Sequence, residues 1–301
     1  MMIRRQVLRL KAHAMTSSRA VTTQAILLRL SGLDATMLTR RIKAPCGLAR
    51  YSSESAVVDA NAVLAAMTDS LDNIDDSLRD GDLKSDAPWG MVIYRLSYSD
   101  DEAWRRMLTC IRTAIAERLE LQDRSDLIAC HSPVVVDDPV NFRNLGPDQV
   151  REKFAKWATE ESERKWARKR DSNSHHLTST RYNYCLMVDD LCLESFDKMA
   201  GAPFVKLLRK DFLPSSQDEA RRIGLLDDSN SLNFPPGFWE DGVTNHEEED
   251  VGWMYIPAVD YVDEYNRLCD GDYWYDSYVR PPFTFLNRRA ETAIGFWRRK
   301  Q

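Results

Sequence analysis

The side chains able to do chemistry are few, and their spacing limits what they can do. Cys130 and His131 are the residue types of a thiol nucleophile and its base, but they end an apolar run, Leu127-Ile128-Ala129-Cys130-His131, that reads as a strand. Adjacent strand residues point to opposite faces, so the two cannot easily meet, and His131 stays a candidate catalytic group on its own. His175 and His176 lie in a polar stretch. His246 precedes Glu247, Glu248, Glu249 and Asp250, a set that offers loose cation contacts without the fixed oxygen cage calcium requires. No metal site is expected. Asp189 and Asp190 stand where one apolar run ends and another begins, so their first role is to cap a helix; Asp189 is kept as the second candidate catalytic residue. Arg95 and Arg280 each end or interrupt an apolar strand. An arginine there must reach solvent, pair with a carboxylate or hold an anion, and both are candidate ligand-binding residues. The chain has no Gly-x-Gly-x-x-Gly, phosphate loop, Gly-x-Ser-x-Gly or His-Glu-x-x-His, and no cofactor is expected.

The elements that must position these groups begin with Trp89 to Tyr98, a strand, followed by an amphipathic helix. Ser99 and Glu102 have capping-box spacing, with Asp100 and Asp101 suited to the positive helix terminus. Trp104, Leu108, Ile111, Ile115 and Leu119 recur at steps of four, three, four and four, one face of a helix that needs a sheet to cover. A second strand is expected over Leu127 to Val136, bent at Pro133, and a second helix from Gly146-Pro147-Asp148 with Val150, Phe154, Trp157 and Ala158 inward. Tyr182 to Val188 alternates as a third strand and leads into a short helix at Asp189-Asp190. Phe204 to Leu208 and Gly252 to Ile256 read as strands, Val259 to Leu268 as a helix and Tyr273 to Val279 as a last strand. The expected fold is α+β: a mixed β-sheet with helices packed mainly on one face, a ferredoxin-like two-layer sandwich. Residues 87–301 form its single domain, with a mobile acidic loop at 214–250.

Charge divides the chain. Residues 1–51 carry ten Lys or Arg against Asp34 alone, a net of +9, so with −6 for the whole chain the rest carries −15. A body that acidic offers no electrostatic footprint for nucleic acid. The first 51 residues are rich in Arg and Ser and poor in acids, the composition of a mitochondrial transit peptide, with a processing signal at Arg50-Tyr51-Ser52-Ser53. Import into the matrix is expected; the alternatives are a disordered basic tail, or a start placed too far upstream, and a cytoplasmic protein. No apolar run reaches the roughly eighteen residues of a membrane span. The six cysteines lack Cys-x-x-Cys spacing and read as reduced thiols.

Residues 52–86 hold an amphipathic helix and an acidic linker. Val57, Ala60, Leu64, Met67, Leu71, Ile74 and Leu78 alternate steps of three and four, a heptad seam whose flanks lack the charge pairs that select a coiled-coil partner. Docking on its own domain is expected above self-association.

Trp89-Gly90 entering a strand that ends in Tyr94-Arg95, the Arg181-Tyr182-Asn183-Tyr184-Cys185 run, Val251-Gly252-Trp253-Met254 and Tyr278-Val279-Arg280-Pro281-Pro282 together resemble an uncharacterised family of filamentous-fungal proteins, over roughly residues 89–283. The resemblance implies no established activity. The first functional expectation is a non-catalytic protein that binds an unknown protein or small-molecule partner, on the strength of absent catalytic motifs, the apolar heptad helix and abundant Trp and Tyr. The alternative is a cofactor-independent small-molecule enzyme of fungal metabolism, an isomerase, cyclase or hydrolase, and it requires two of Arg95, His131 and Asp189 to converge in an apolar cleft.

Overall fold

The computed structural model describes residues 71–79, 88–166, 179–199, 203–214, 216, 238–284 and 293–299. The basic leader, most of the heptad run, the linker, His175 and His176, and 217–237 of the acidic stretch lie outside the described residues. In chain order the elements are α1 (Asp72–Arg79), β1 (Val92–Arg95), α2 (Asp101–Leu121), β2 (Val134–Val136), α3 (Pro139–Phe142), α4 (Pro147–Trp166), α5 (Thr180–Asn183), β3 (Tyr184–Val188), α6 (Asp190–Lys198), β4 (Phe204–Arg209), β5 (Trp253–Pro257), α7 (Tyr261–Leu268), α8 (Tyr273–Ser277) and α9 (Phe296–Arg299).

The fold is α+β, built on a mixed five-stranded sheet in the order β2-β1-β3-β4-β5. β1 runs parallel to β2 and β3, with Ile93 opposite Val135 on one side and Leu186 on the other. β4 and β5 return antiparallel, Leu186 facing Leu207 and Leu207 facing Met254. The strand and helix succession is not the βαββαβ order of a ferredoxin-like sandwich.

Helices cover both faces of this sheet rather than mainly one. Every residue of β1, β3 and β5 is buried, as strands covered on both sides must be. On β1, Tyr94 meets Phe142 of α3 and Phe154 of α4, while the next residue, Arg95, lies over Trp104 of α2, so α4 and α2 sit on opposite faces. Trp104, Ile111, Ile115 and Leu119 are buried as their spacing requires, and Leu108 packs at the edge of the same core. Each fully buried side chain of this kind contributes about 1.5–3 kcal/mol. Arg118, near the end of α2, is buried and pairs with Asp263 of α7 at 2.7 Å.

Three local expectations are corrected. The cap of α2 is Asp100, whose carboxylate accepts from Ala103 N at 2.8 Å, one residue later than the Ser99 box; Glu102 pairs with Arg105 instead. The run before Pro133 is a 3-10 helix over Ser125–Cys130, and only Val134–Val136 pairs as a strand. Leu127 is its one buried side chain, and a single anchor suits a turn better than an alternating strand. Tyr273–Ser277 is helical, with Trp274 buried and Tyr275 exposed. At the near end of the heptad run, Leu71, Ile74 and Leu78 are buried in the core of this domain, and Asn266 of α7 accepts from Ile74 N at 3.1 Å.

Candidate functional site

Three parallel strands deliver their carboxyl ends to one edge of the sheet, the place where open α/β sheets hold ligands. Arg95 ends β1 there, and only 6% of it is exposed. Its Nε donates to the Ser97 carbonyl at 2.8 Å, and its terminal nitrogens pair with Asp101, at the start of α2, and with Asp137, after β2, at 3.2 Å. The rings of Tyr98 and Trp104 flank the guanidinium at 4.5 and 5.4 Å. The anion that Arg95 holds is therefore the chain's own.

Asp189 ends β3 at the same edge. One carboxylate oxygen caps α6 by accepting from Cys192 N at 3.0 Å, and the other meets Lys206 Nζ at 2.8 Å. Burial alone would raise the Asp189 pKa, but the Lys206 ammonium prevails and holds the carboxyl below its usual range. Lys206 in turn lies over Trp253 at 4.4 Å and near Glu240 at 3.7 Å, and Glu240 accepts from the Tyr255 hydroxyl at 3.0 Å. Ser97 donates to Asp190. Both helix N-termini at this edge are thus capped by carboxylates of the chain, which puts negative charge where a phosphate would otherwise dock.

His131 belongs to the opposite end of the strands, bridged to Trp89 before β1 begins. Its ring lies 4.4 Å from that of Trp89 and stands perpendicular to Tyr261 at 5.7 Å. The Tyr261 oxygen accepts from Met91 N at 2.7 Å and lies 3.4 Å from His131 Nε2. Burial, with help from the Arg181 guanidinium, pushes the His131 pKa down to about 4, so the imidazole is neutral at pH 7. Arg181 is itself spent on the carbonyls of Gly90 at 2.8 Å and Ser132 at 2.7 Å. Arg95 and Asp189 share an edge, each with its own partners, and His131 lies at the other end of the strands.

Arg280 has a different role. Its side chain is 1% exposed and pairs at 3.0 Å with Glu249, which is 3% exposed. Its terminal nitrogens also donate to the carbonyls of His246, of Asp241 at 2.8 Å and of Thr244 at 2.9 Å, while Glu249 accepts from Val243 N at 2.7 Å and Thr244 N at 2.9 Å. One buried ion pair thereby gathers residues 241–249 into a fixed loop. His246 is buried in that loop and its Nδ1 accepts from Glu248 N at 3.1 Å, so this end of the acidic run is folded against its own arginine rather than repelling itself into solvent. Gly242 is required by the clasp: its φ is +84°, and a Cβ would come within 2.7 Å of both Arg280 and Glu249.

The clasped loop forms one wall of a cleft of about 510 Å³. Residues 146–149 at the start of α4 form another wall, and Phe212, Pro214 and residues 249–251 complete it. Its size is within the usual range for ligand sites. Arg151, one turn into α4, ties the walls together: Nε donates to the Arg209 carbonyl at 3.0 Å, a terminal nitrogen pairs with Asp148, and the guanidinium lies 4.8 Å from the Phe212 ring. Phe212 in turn presses on Gly252 so closely that a Cβ there would meet the ring at 2.2 Å. Sequence reasoning missed Arg151 and Phe212. Arg151 reads as one charge among many on a helix, and only the long-range contact to β4 reveals its purpose.

Comparisons with protein-family models, with curated proteins and with solved structures give no significant match. Among the described residues no group of three or more His, Cys, Asp or Glu is placed to hold a metal ion, and no helix is long and apolar enough to cross a membrane.

Proposed function

We propose that this chain is a non-catalytic binding protein whose partner or ligand occupies the cleft between the start of α4 and the Arg280-clasped loop. The cleft itself carries the reading: about 510 Å³, its walls tied by Arg151 and Arg280, with apolar Phe212, Pro214, Val243 and Val251 beside a few polar groups. The groups an enzyme would need support it from the other direction. Arg95 and Asp189 are engaged by internal partners, His131 is neutral and packed between aromatic rings, and none of the three lines the cleft. Burial raises the thiols of Cys185 and Cys192 well above their ordinary pKa and that of Cys110 to about 11, away from nucleophilic thiolate. The compartment proposed is the mitochondrial matrix, on the composition of residues 1–51, in a filamentous fungus, on the motif resemblance.

A ligand-observed NMR screen of small fragments against the wild type and against Val243→Trp tests the cleft. Val243 lines it and is 41% exposed, so tryptophan fills the space without touching the core. Fragments that bind the wild type and lose binding to the variant are expected. Hits that bind both equally would place the ligand site elsewhere.

A further inference from the structure

Resting on that reading, we infer that the occupant of the cleft is a peptide segment bearing Arg or Lys together with an apolar anchor residue. The ionisable residues lining the cleft are all acids; Asp148, Asp241 and Asp250 reach solvent there, while Glu249, 3% exposed, is taken up by Arg280. The arginines that face these acids, Arg151, Arg209 and Arg280, have side chains only 9%, 15% and 1% exposed, and none of them lines the space. Cations therefore lie behind the wall and oxygens in front. Asp148 is 77% exposed, and residues 52–301, with a net charge of −15, add a negative field that a cleft concentrates.

Charge alone would suit a small polyamine. The rim argues for a larger partner. Leu213 is 87% exposed between the two cleft residues Phe212 and Pro214, and Val243 is 41% exposed in the opposite wall. Tyr275, 69% exposed, lies over Arg209 at 5.1 Å, and Arg209 reaches cleft residue Asp250 at 3.7 Å. Large apolar side chains left in water around an acidic cleft fit a partner that brings its own apolar residues beside its cations, so that contact area and charge are matched together. The negative face also disfavours a second copy of the same surface, because a two-fold contact would set carboxylates against carboxylates.

Fluorescence anisotropy with a labelled octapeptide of alternating Arg and Leu tests this on the full chain. Competitors are the same peptide with Glu for Arg, and spermidine as a cation without an anchor. The Arg/Leu peptide is expected to bind, with affinity falling about tenfold or more in Asp148→Lys and in Leu213→Ser, and less than about twofold in Glu117→Lys on the exposed side of α2. Equal weakening by Glu117→Lys would reduce the effect to net charge and overturn the proposal. So would tight binding of the Glu peptide, or displacement by spermidine as effective as by the unlabelled peptide; both leave the cleft standing as a site for another ligand. Absence of peptide binding while cleft-directed fragments still bind refutes the peptide alone. Binding that survives Val243→Trp refutes the cleft as well.

Discussion

The carboxyl edge of the parallel strands and the cleft beside α4 are both built around buried arginines that pair with the chain's own acids, yet it is the second set that borders an open space. At the edge, Arg95 takes up Asp101 and Asp137, Asp189 takes up Lys206, and the helix termini are closed by Asp100 and Asp189, so the chain consumes its own recognition groups. At the cleft, Arg280 and Arg151 also take up acids, Glu249 and Asp148, but they hold backbone carbonyls as well, and the cleft beside them stays open. The strand ends are thus closed by the chain's own groups, while the proposed binding site is walled by an irregular loop held by the Arg280–Glu249 pair.

The clasp offers the sharpest way to break this contrast. Arg280→Met leaves Glu249 buried without its cation and is expected to cost about 3–5 kcal/mol of unfolding free energy in urea titration. Adding Glu249→Leu should restore a good part of it, since a matched apolar pair needs no desolvated charge. A loss under 1 kcal/mol in the single variant would show that the loop holds without the pair.

Acid should weaken the fold at the Trp89 end of the strands, through His131. His131 has a folded pKa of about 4 against about 6.5 when unfolded, so the unfolded chain binds the extra proton first. Its contribution is complete above pH 6.5 and is lost as pH falls towards 4, up to about 3 kcal/mol over that window. His131→Gln should flatten the slope between those values, and an unchanged slope would mean that His131 is not held neutral.

A smaller effect separates two neighbouring caps. Asp100→Ala should cost about 1 kcal/mol and Ser99→Ala only a few tenths in the same titration, and the reverse order would restore the Ser99 box.

That cap also shows how much of the molecule is legible in the sequence. Periodicity of Trp104, Ile111, Ile115 and Leu119 marks α2, and apolar runs mark β1, β4 and β5, because these elements answer to a local pattern of burial. Ser99 and Asp100 are equally good caps by type. The choice is made 91 residues away, where Asp190 receives the Ser99 hydroxyl at 3.2 Å. The alternating aromatics of 273–279 mimic a strand for the same reason: whether Trp274 turns inward in a helix depends on Tyr184, against which it stacks at 5.7 Å. Arg95 and Arg280 are marked by the sequence as candidate ligand-binding residues that must reach solvent, a carboxylate or an anion; the acids they meet, Asp101 and Asp137 for one and Glu249 for the other, come from segments that no spacing rule connects to them. The cleft was invisible, since its walls are brought together only by the fold.

The most direct test of the account is amide chemical-shift mapping of a fragment that binds the wild type. Shifts concentrated at residues 146–149, 212–214 and 241–251 are expected. Shifts centred instead on Arg95, Asp101, Asp137 and Asp189 would contradict it and return the binding site to the strand edge.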